Sequence, residues 1–371
     1  MNSRCGSSLG CAPCARPICL RVHGTRRLVL ALSTPIGAVF IHTYGVAVSQ
    51  FVLESSTDPL RVVVSRDVVE SEHLVDVAVI HGSERITLGD AERGVIPRSS
   101  IKPIQVLPLI ESGAADRFAV SDVEVALGAA SHSGEPAHVE AVDAWLARIG
   151  LNRDALECGD DRPISVDAAD ALLGSGTPFE AIHNCCSGKH AAFLTIAQHL
   201  GVDPAGYIER EHPVQQLVTA SIERYTGRDL AVQSSGIDGC GIPTFSLPLD
   251  SLADAMQRLA TGDDTAAKRV TTALVGNAFW ISGSHRLEHR FEQACSEPLI
   301  LKAGAEGVYM GALPARGIGI ALKVRDGAKR GAEAAIAFVL AGLGAIDPAE
   351  SATDITNKAG TVVGTMEAQL P

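Results

Sequence analysis

The chain has 371 residues, of which 46% are hydrophobic and 20% charged, and this balance excludes a disordered or fibrous protein. The net charge is −12 and aromatic residues make up only 4%, which argues against a nucleic-acid surface or a platform on which bases stack. A globular protein acting on a small molecule is the class that remains, with no nucleic acid and no membrane as partner.

Residues 1–57 differ in composition from the rest of the chain. They carry five arginines, four cysteines and a single acid, Glu54, together with an apolar stretch over 28–41. This stretch is short for a membrane span, and the cysteine spacing does not match a common zinc module. A disordered or non-native leader, a secretion signal and a zinc-binding knot all stay open. We expect the first, with residues 58–371 forming the catalytic domain.

Strands and helices follow in a recognisable order from residue 61. Runs rich in β-branched residues predict a hairpin of strands before residue 90, and a helix should follow over 100–112, with Pro103 tolerated in its first turn. Ser121 and Glu124 form a capping box that opens the next helix. The predicted strands of this region are 61–66, 75–81 and 86–88, and the helices are 100–112, 121–130 and 137–149.

The middle of the chain reads as helical and its end as strands followed by a helix. Early and late strands around a helical middle predict one mixed sheet built from both chain ends, packed with helices and carrying a helical subdomain, which is an α+β arrangement. The predicted helices are 189–200, 214–225, 252–260, 266–279 and 328–343, and the late strands are 299–302, 307–313 and 317–324.

The first motif that carries chemistry is a serine and a lysine three residues apart, Ser99 and Lys102. Side chains at this spacing share one face of a helix, so the amine can reach the hydroxyl. A lysine activates a serine only when its amine is partly neutral, and burial or a second cation such as Lys302 lowers its pKa. The alternative is that Lys102 is an ordinary surface lysine.

Two further elements turn this tetrapeptide into a possible mechanism. Ser131-His132-Ser133 and Lys302-Ala303-Gly304 follow it in the order found in serine acyl-transfer enzymes of the penicillin-recognising type. A helix should end just before Ser131, which would leave this serine at the start of a loop. A histidine such as His132 is more often structural, although the polar residues around it favour a functional role.

A second group of candidates lies in two loops, 184–190 and 236–243. Their cysteines suit zinc, but two thiols about fifty residues apart equally suit simple packing. Arg98 and Asp238 carry opposite charges that would suit the carboxylate and ammonium ends of an amino acid. The domain's five cysteines include an adjacent pair and form a poor disulfide framework, so we expect reduced thiols and a cytoplasmic location, with secretion not excluded.

Five motifs together give the chain a resemblance to a known family. The segments are 98–103, 130–133, 184–190, 238–243 and 302–305, and their joint occurrence in this order resembles the asparaginase II family, the rhizobial-type L-asparaginases. The resemblance runs from about residue 60 to about residue 330. It does not extend to residues 1–57, and the C-terminus ends at Pro371 without a recognisable closing motif.

The resemblance implies a fold similar to serine β-lactamases, a homodimer, and hydrolysis of L-asparagine to L-aspartate and ammonia. From their charges and polar surroundings, we expect Arg98, His132 and Asp238 to contact the substrate. The implied catalytic residues form two tandems, Ser99 with Lys102 and Ser131 with Lys302, and the implied zinc ligands are Cys186, Lys189 and Cys240.

A second cysteine, Cys185, directly precedes the implied ligand Cys186, so either sulfur of the adjacent pair could bind the metal. Two other functions stay open at this point. One is a penicillin-recognising acyl transferase or β-lactamase-like enzyme, and the other is a catalytically silent protein that binds an amino acid or zinc on the same scaffold.

Overall fold

The computed structural model describes residues 53–371, and twelve strands run through this part of the chain. The strands are β1 (Leu60–Arg66), β2 (Val68–His81), β3 (Glu84–Leu88), β4 (Gly94–Val95), β5 (Ser235–Ile237), β6 (Pro243–Phe245), β7 (Leu247–Pro248), β8 (Ile300–Gly304), β9 (Val308–Leu313), β10 (Ile318–Val324), β11 (Ala352–Thr356) and β12 (Val362–Gln369).

Eight of these strands form one sheet in the order β11-β12-β1-β2-β10-β9-β8, with β3 paired to β2 outside this path. The sheet joins the two ends of the chain where β2 meets β10, so that His81 lies opposite Ile318. One sheet built from both chain ends was predicted, and this is confirmed. The predicted mixed sheet is corrected in one respect: its strand pairs are antiparallel throughout the described residues.

Helices fill the segment between β3 and β8, and a last one follows β10. They are α1 (Lys102–Gln105), α2 (Leu107–Glu111), α3 (Ala114–Arg117), α4 (Asp122–Gly128), α5 (Pro136–Arg148), α6 (Val166–Ser175), α7 (Ser187–Leu200), α8 (Pro213–Thr226), α9 (Leu249–Thr261), α10 (Thr265–Leu274), α11 (Ala278–Ser282), α12 (Leu287–Ala294) and α13 (Lys329–Gly342). The α+β class that the sequence predicts is therefore confirmed.

The central strands of the sheet are covered by helices on both faces. Ala78, Ala321 and Met310 lie side by side in register and belong to the core shared with α9 and the helical middle. Because successive strand residues point to opposite faces, Ile320 and Leu322 face the other side, where α13 packs. Both faces are thus buried, as the long apolar runs of these strands indicate.

Two predicted helices are interrupted, each for a local reason. The helix expected over 100–112 is a 3-10 turn followed by two short helices, since Pro108 lacks an N–H and its ring crowds the preceding turn. The helix expected over 266–279 divides at Gly276, whose φ of +78° cannot continue a right-handed helix. The capping box of Ser121 and Glu124 is present as predicted.

The end of the chain holds two strands that the sequence analysis missed. Strand β12 pairs with β1, and β11 pairs with β12 at the edge of the sheet. Their exposed faces are rich in polar residues, so their hydrophobic pattern is weak. These strands complete the sheet and account for the region after α13, where no closing motif was recognised.

Most of the predicted extension, residues 1–57, lies outside the described residues, including its four cysteines. The part from residue 53 onward is attached to the body. Leu53 is buried, and Ser56 pairs with strand β3 through hydrogen bonds to Thr87 and Gly89. Among the described helices, none is long and apolar enough to cross a membrane.

Candidate active site

Ser99 lies in a short 3-10 turn, Arg98–Ile101, that leads directly into α1. The turn begins at a strained residue, since Arg98 has a φ of +52° in the left-handed region that non-glycine residues rarely adopt. Strand β8 passes close to it, and a Cβ at Gly304 would lie 2.5 Å from Pro97 O. A glycine at this position lets the strand approach the turn, so that the two form one wall of a site.

The side chain of Lys102 is fully buried. Its Nζ donates to the carbonyl oxygen of Ala130, to Ser131 Oγ at 3.1 Å and to Cys186 Sγ at 3.1 Å. Among the hydrogen bonds of residues 53–371, none joins Lys102 Nζ to Ser99 Oγ. The lysine of the first motif therefore contacts the serine of the second motif.

Ser131 lies between two lysine amines. Lys302 Nζ donates to Ser131 Oγ at 2.9 Å, opposite Lys102 at 3.1 Å. The serine follows α4, and its backbone N–H donates to the carbonyl oxygen of Ile281 at 2.9 Å, which fixes its position. Its hydroxyl thus connects the two amines in a continuous line of hydrogen bonds, along which a proton can move.

The amine of Lys302 is prepared to act as a base. Burial, followed by the neighbouring charge of Lys102, lowers the pKa of Lys302 to about 7, although Glu288 opposes this shift. An amine with this pKa is substantially neutral near pH 7, whereas an ordinary lysine is almost entirely protonated. Lys302 also donates to the carbonyl oxygen of Ala303 at 2.7 Å, which orients the amine.

A cavity of about 350 Å³ contains both serines on its wall, Ser99 and Ser131. This volume suits a small molecule. Further residues of the wall come from Cys185, from Arg286 and Tyr309, and from the turn over 303–307. The four predicted catalytic residues are therefore brought together, with the two serines at the cavity and the two lysines buried behind Ser131.

Arg98 and Asp238, which the sequence analysis assigned to the two ends of an amino acid, bind each other. Arg98 Nε donates to Asp238 Oδ1 at 2.6 Å, and the carboxylate is largely buried. The same oxygen accepts the backbone N–H of Gly239 at 2.8 Å. The pair thus ties the strained turn of Ser99 to the loop that carries Cys240.

His132 is fully buried, and both of its ring nitrogens bind protein groups. The N–H of Gly134 donates to Nδ1 at 3.1 Å, so that Nε2 carries the proton and donates to Ser187 Oγ at 2.9 Å. Burial, with the nearby ring of His138 and the charge of Lys102, holds the pKa of His132 well below its usual value. The ring is therefore neutral and links the Ser131 loop to the start of α7.

Two thiols and a lysine converge next to Lys102. Lys189 Nζ donates to Cys240 Sγ at 2.9 Å, and all three side chains are buried. Hydrogen bonds from Cys185 and Cys240, together with the charge of Lys102, hold the pKa of Cys186 well below its usual range. Of the adjacent cysteines, Cys186 faces this cluster and Lys102, while Cys185 reaches the cavity and lies 3.8 Å from Cys186 Sγ.

The donor set fits zinc as a three-ligand site. Within residues 53–371 no three side chains of the His, Cys, Asp and Glu types gather as a metal site, and the donors that lie together here are two thiols and the amine of Lys189. Burial alone would lower the pKa of Lys189, but the sulfurs of Cys240 and Cys186 outweigh it and raise this pKa. Lys189 must therefore lose a proton to coordinate, and two thiolates with one amine leave a fourth position open.

Three residues at the site were missed by sequence reasoning. Arg286 and Tyr309 line the cavity, and Glu288 is buried with its Oε1 accepting the N–H of Ala303 at 3.2 Å. The segment around α12 is so rich in charged residues that it resembles an exposed helix. Nothing in its spacing signals that two of these charges are buried.

Comparison with protein families gives one result, and the model of the family described as L-asparaginase II matches residues 62–368. The matched segment includes all ten predicted site residues. Comparison with curated proteins gives no match.

Among solved structures, the protein called Mglu in its native form is similar at 14% identity and a TM-score of 0.40, over 70% of this chain and 61% of that one. The chain thus spans about three fifths of the Mglu chain it matches. A putative β-lactamase from Bacteroides dorei DSM 17855 is similar at 13% identity and a TM-score of 0.36, over 67% of this chain and 84% of that one. A β-lactamase from Burkholderia ambifaria is similar at 15% identity and a TM-score of 0.34, over 74% of this chain and 95% of that one.

Proposed function

The chain belongs to the L-asparaginase II family, and from this premise we propose that it hydrolyses L-asparagine to L-aspartate and ammonia through a serine acyl-enzyme. The observation that carries the proposal is the position of Ser131 Oγ between Lys302 Nζ and Lys102 Nζ, next to a cavity that Ser99 shares. Hydrolysis of an amide needs a nucleophile, a base and a proton donor for the leaving nitrogen, and this arrangement offers all three.

Acylation begins with the state of the two lysines. Near pH 7 the amine of Lys302 is substantially neutral, and the hydroxyl of Ser131 can pass a proton to it from Lys102. Lys102, now neutral, takes the proton of Ser99 as its oxygen attacks the side-chain carbonyl carbon. Backbone N–H groups at the start of the Ser99 turn stabilise the oxyanion.

The leaving nitrogen must gain a proton before it departs. Ser131 donates its hydroxyl proton to this nitrogen and is reprotonated by the lysines on either side. Ammonia then leaves, and an aspartyl ester of Ser99 remains. A water molecule attacks the ester, its proton returns through the same groups, and aspartate is released with the serine restored.

A second assignment of the nucleophile is favoured by one specific observation. Ser131, and not Ser99, is the serine bonded to a lysine whose pKa is lowered to about 7. In that alternative Ser131 attacks with Lys302 as its base, and Ser99 assists the leaving group. We retain Ser99 as the attacking residue because Ser131 is hydrogen-bonded to both lysines. This position suits a group that transfers protons between the two amines.

The proposed zinc ligands are Cys186, Lys189 and Cys240. When bound, the metal supplies a fixed positive charge beside the cavity and holds the loop of Cys240 against the start of α7. Independently of any metal, Cys186 accepts a hydrogen bond from Lys102 and so orients this amine toward Ser131.

We also propose that the enzyme works as a homodimer in the cytoplasm. The five cysteines of the described part are free thiols, which supports a reducing compartment. Light scattering during size-exclusion chromatography measures the oligomeric state directly, and a monomeric mass would contradict the dimer.

The function is tested by measuring ammonia release from asparagine, glutamine and β-aspartyl peptides, with nitrocefin as a β-lactam probe. Release from asparagine alone, or most rapidly from asparagine, supports the proposal. Cleavage of nitrocefin without ammonia release would indicate a penicillin-recognising enzyme. Binding of asparagine without turnover of any substrate would indicate a silent binding protein.

A further inference from the structure

Arg286 is a largely buried cation at the cavity that the proposed chemistry does not use. It precedes α12, its side chain is 14% exposed, and it shares the cavity wall with Ser99 and Ser131. An arginine is fully charged at physiological pH, so its burial requires a negatively charged or strongly polar partner.

The protein supplies only part of that partner. Glu288 Oε1 lies 3.6 Å from Arg286 Nη2, which is too long for a good hydrogen bond. Among the described residues, no side-chain hydrogen bond from the Arg286 guanidinium is found. Arg98 differs in this respect, because its Nε donates to Asp238 at 2.6 Å.

The carboxylate of Glu288 is bonded to the strand of Lys302 through one oxygen, and its Oε2 has no hydrogen-bond partner among the described residues. Its Oε1 accepts the N–H of Ala303 at 3.2 Å, and the residue is only 1% exposed. Glu306 and Lys329 also line the cavity. Two acids, Glu288 and Glu306, thus stand against the positive charges of Arg286, Lys329, Lys102 and, when protonated, Lys302. The floor of the cavity has an excess of positive charge, which favours a substrate that brings a carboxylate.

We propose that Arg286 binds the α-carboxylate of the substrate and thereby selects amino-acid amides over simple amides. The inference rests on the proposed function of this cavity. The planar guanidinium can hold a carboxylate with two parallel hydrogen bonds, which fixes orientation as well as position. Held in this way, an amino acid directs its side-chain amide toward Ser99 and Ser131 across a cavity of about 350 Å³.

The test compares L-asparagine with L-asparaginamide, in which a neutral amide replaces the α-carboxylate, in the full-length protein. In the Arg286→Gln enzyme, kcat/KM for L-asparagine should fall about 10- to 100-fold, because hydrogen bonds to a charged group are lost. For L-asparaginamide, kcat/KM for cleavage of the side-chain amide should change less than about threefold. Chromatography of the products measures this cleavage. Arg286→Lys should recover part of the loss, since it keeps the charge without the planar fork.

Arg290→Gln is the matched control, because Arg290 lies one turn further along, on α12, with its side chain 56% exposed. It should leave both substrates unaffected. An equal fall for the two substrates in Arg286→Gln would show a merely structural role, and no fall for either would show no role; both results overturn the inference.

The proposed function and the carboxylate subsite can fail separately. If the wild-type protein turns over neither compound, the proposed function fails, and calorimetric titration with L-aspartate then decides the subsite. Binding to wild type that is at least tenfold weaker in Arg286→Gln supports the subsite. Equal binding to the two proteins, or no binding to wild type, overturns it.

Discussion

Ser131 Oγ accepts a hydrogen bond from Lys302 Nζ at 2.9 Å, and this contact joins two residues that are 171 positions apart in the chain. The loop after α4 and strand β8 bring them together. Since Lys102 approaches the same oxygen from another side, the serine is the common point of both serine-lysine pairs. The reactivity of the site should therefore depend on the protonation of the two amines together.

The pH dependence of the reaction should report Lys302. Its pKa is lowered to about 7, and the amine acts as a base only when neutral, so kcat/KM should fall about tenfold per pH unit below pH 7 and level off above it. A pH-rate profile measures this limb. Lys302→Arg keeps the positive charge but cannot lose a proton, and activity should fall by a factor of about 100 or more at every pH. A wild-type profile that is flat from pH 5 to pH 8 would contradict this role.

The attacking serine can be identified by covalent trapping. An asparagine analogue with a diazoketone in place of the amide should label Ser99, as read by mass spectrometry of peptides. Ser99→Ala should abolish the label and lower kcat by a factor of about 1,000 or more, whereas Ser131→Ala should still be labelled, at a lower rate. A label on Ser131 in the wild-type protein would instead favour the alternative assignment.

Lys302 should lower the stability of the fold that it serves. Its pKa is lower in the folded protein than in the unfolded chain. Folding therefore either removes the proton from Lys302 or keeps it on a buried amine, and both lower the free energy of unfolding. This loss of stability is fully present below about pH 7. It disappears as the pH approaches 10.5, the pKa of Lys302 in the unfolded chain. Replacement of the buried lysine, Lys302→Met, should therefore raise the free energy of unfolding by about 1–4 kcal/mol at pH 7.

Urea denaturation of the wild-type and Lys302→Met proteins at pH 7 and at pH 10 measures this effect. The gain should shrink at the higher pH, while activity is lost at both. A variant that is less stable than wild type at pH 7 would show that the hydrogen bonds to Ser131 and Ala303 outweigh the cost of burial.

The metal site can be tested with the adjacent cysteines as a matched pair. Elemental analysis should find about one zinc ion per wild-type chain, and Cys186→Ser and Cys240→Ser should lose it, because a hydroxyl is a poor replacement for a thiolate. Cys185→Ser should keep the metal, since Cys185 reaches the cavity rather than the Lys189 cluster. Loss of zinc from Cys185→Ser with retention in Cys186→Ser would reverse the ligand assignment.

Removal of residues 1–52 should leave activity unchanged, because every proposed site residue lies at position 98 or later. Removal of residues 1–57 should cost stability, since it deletes buried Leu53 and the bonds of Ser56 to β3. Each kcal/mol lost lowers the melting temperature by about 2–4 °C in a domain of moderate size. Calorimetry and ammonia release on the two truncated proteins separate these effects, and loss of activity in the first would place part of the site in the extension.

The elements with strong periodicity or a clear cap could be predicted from sequence. The hairpin of β2 and β3, the capping box of Ser121 and the helix of Lys189 are of this kind, since each depends on neighbours within a few residues. The C-terminal strands could not, because their polar exposed faces weaken the alternation that signals a strand. The break at Pro108 is signalled by the sequence itself, because a proline inside a helix lacks the N–H that the helix needs.

The sequence by itself determined which chemical groups this protein has, and through the order of five motifs it determined the family. It could not determine how those groups pair. Only the tertiary structure decided that Lys102 contacts Ser131, that Arg98 and Asp238 bind each other, and that Arg286 is buried at the cavity. The physical reason is that these contacts form between distant segments, and the packing of the sheet and helices sets which buried charges meet.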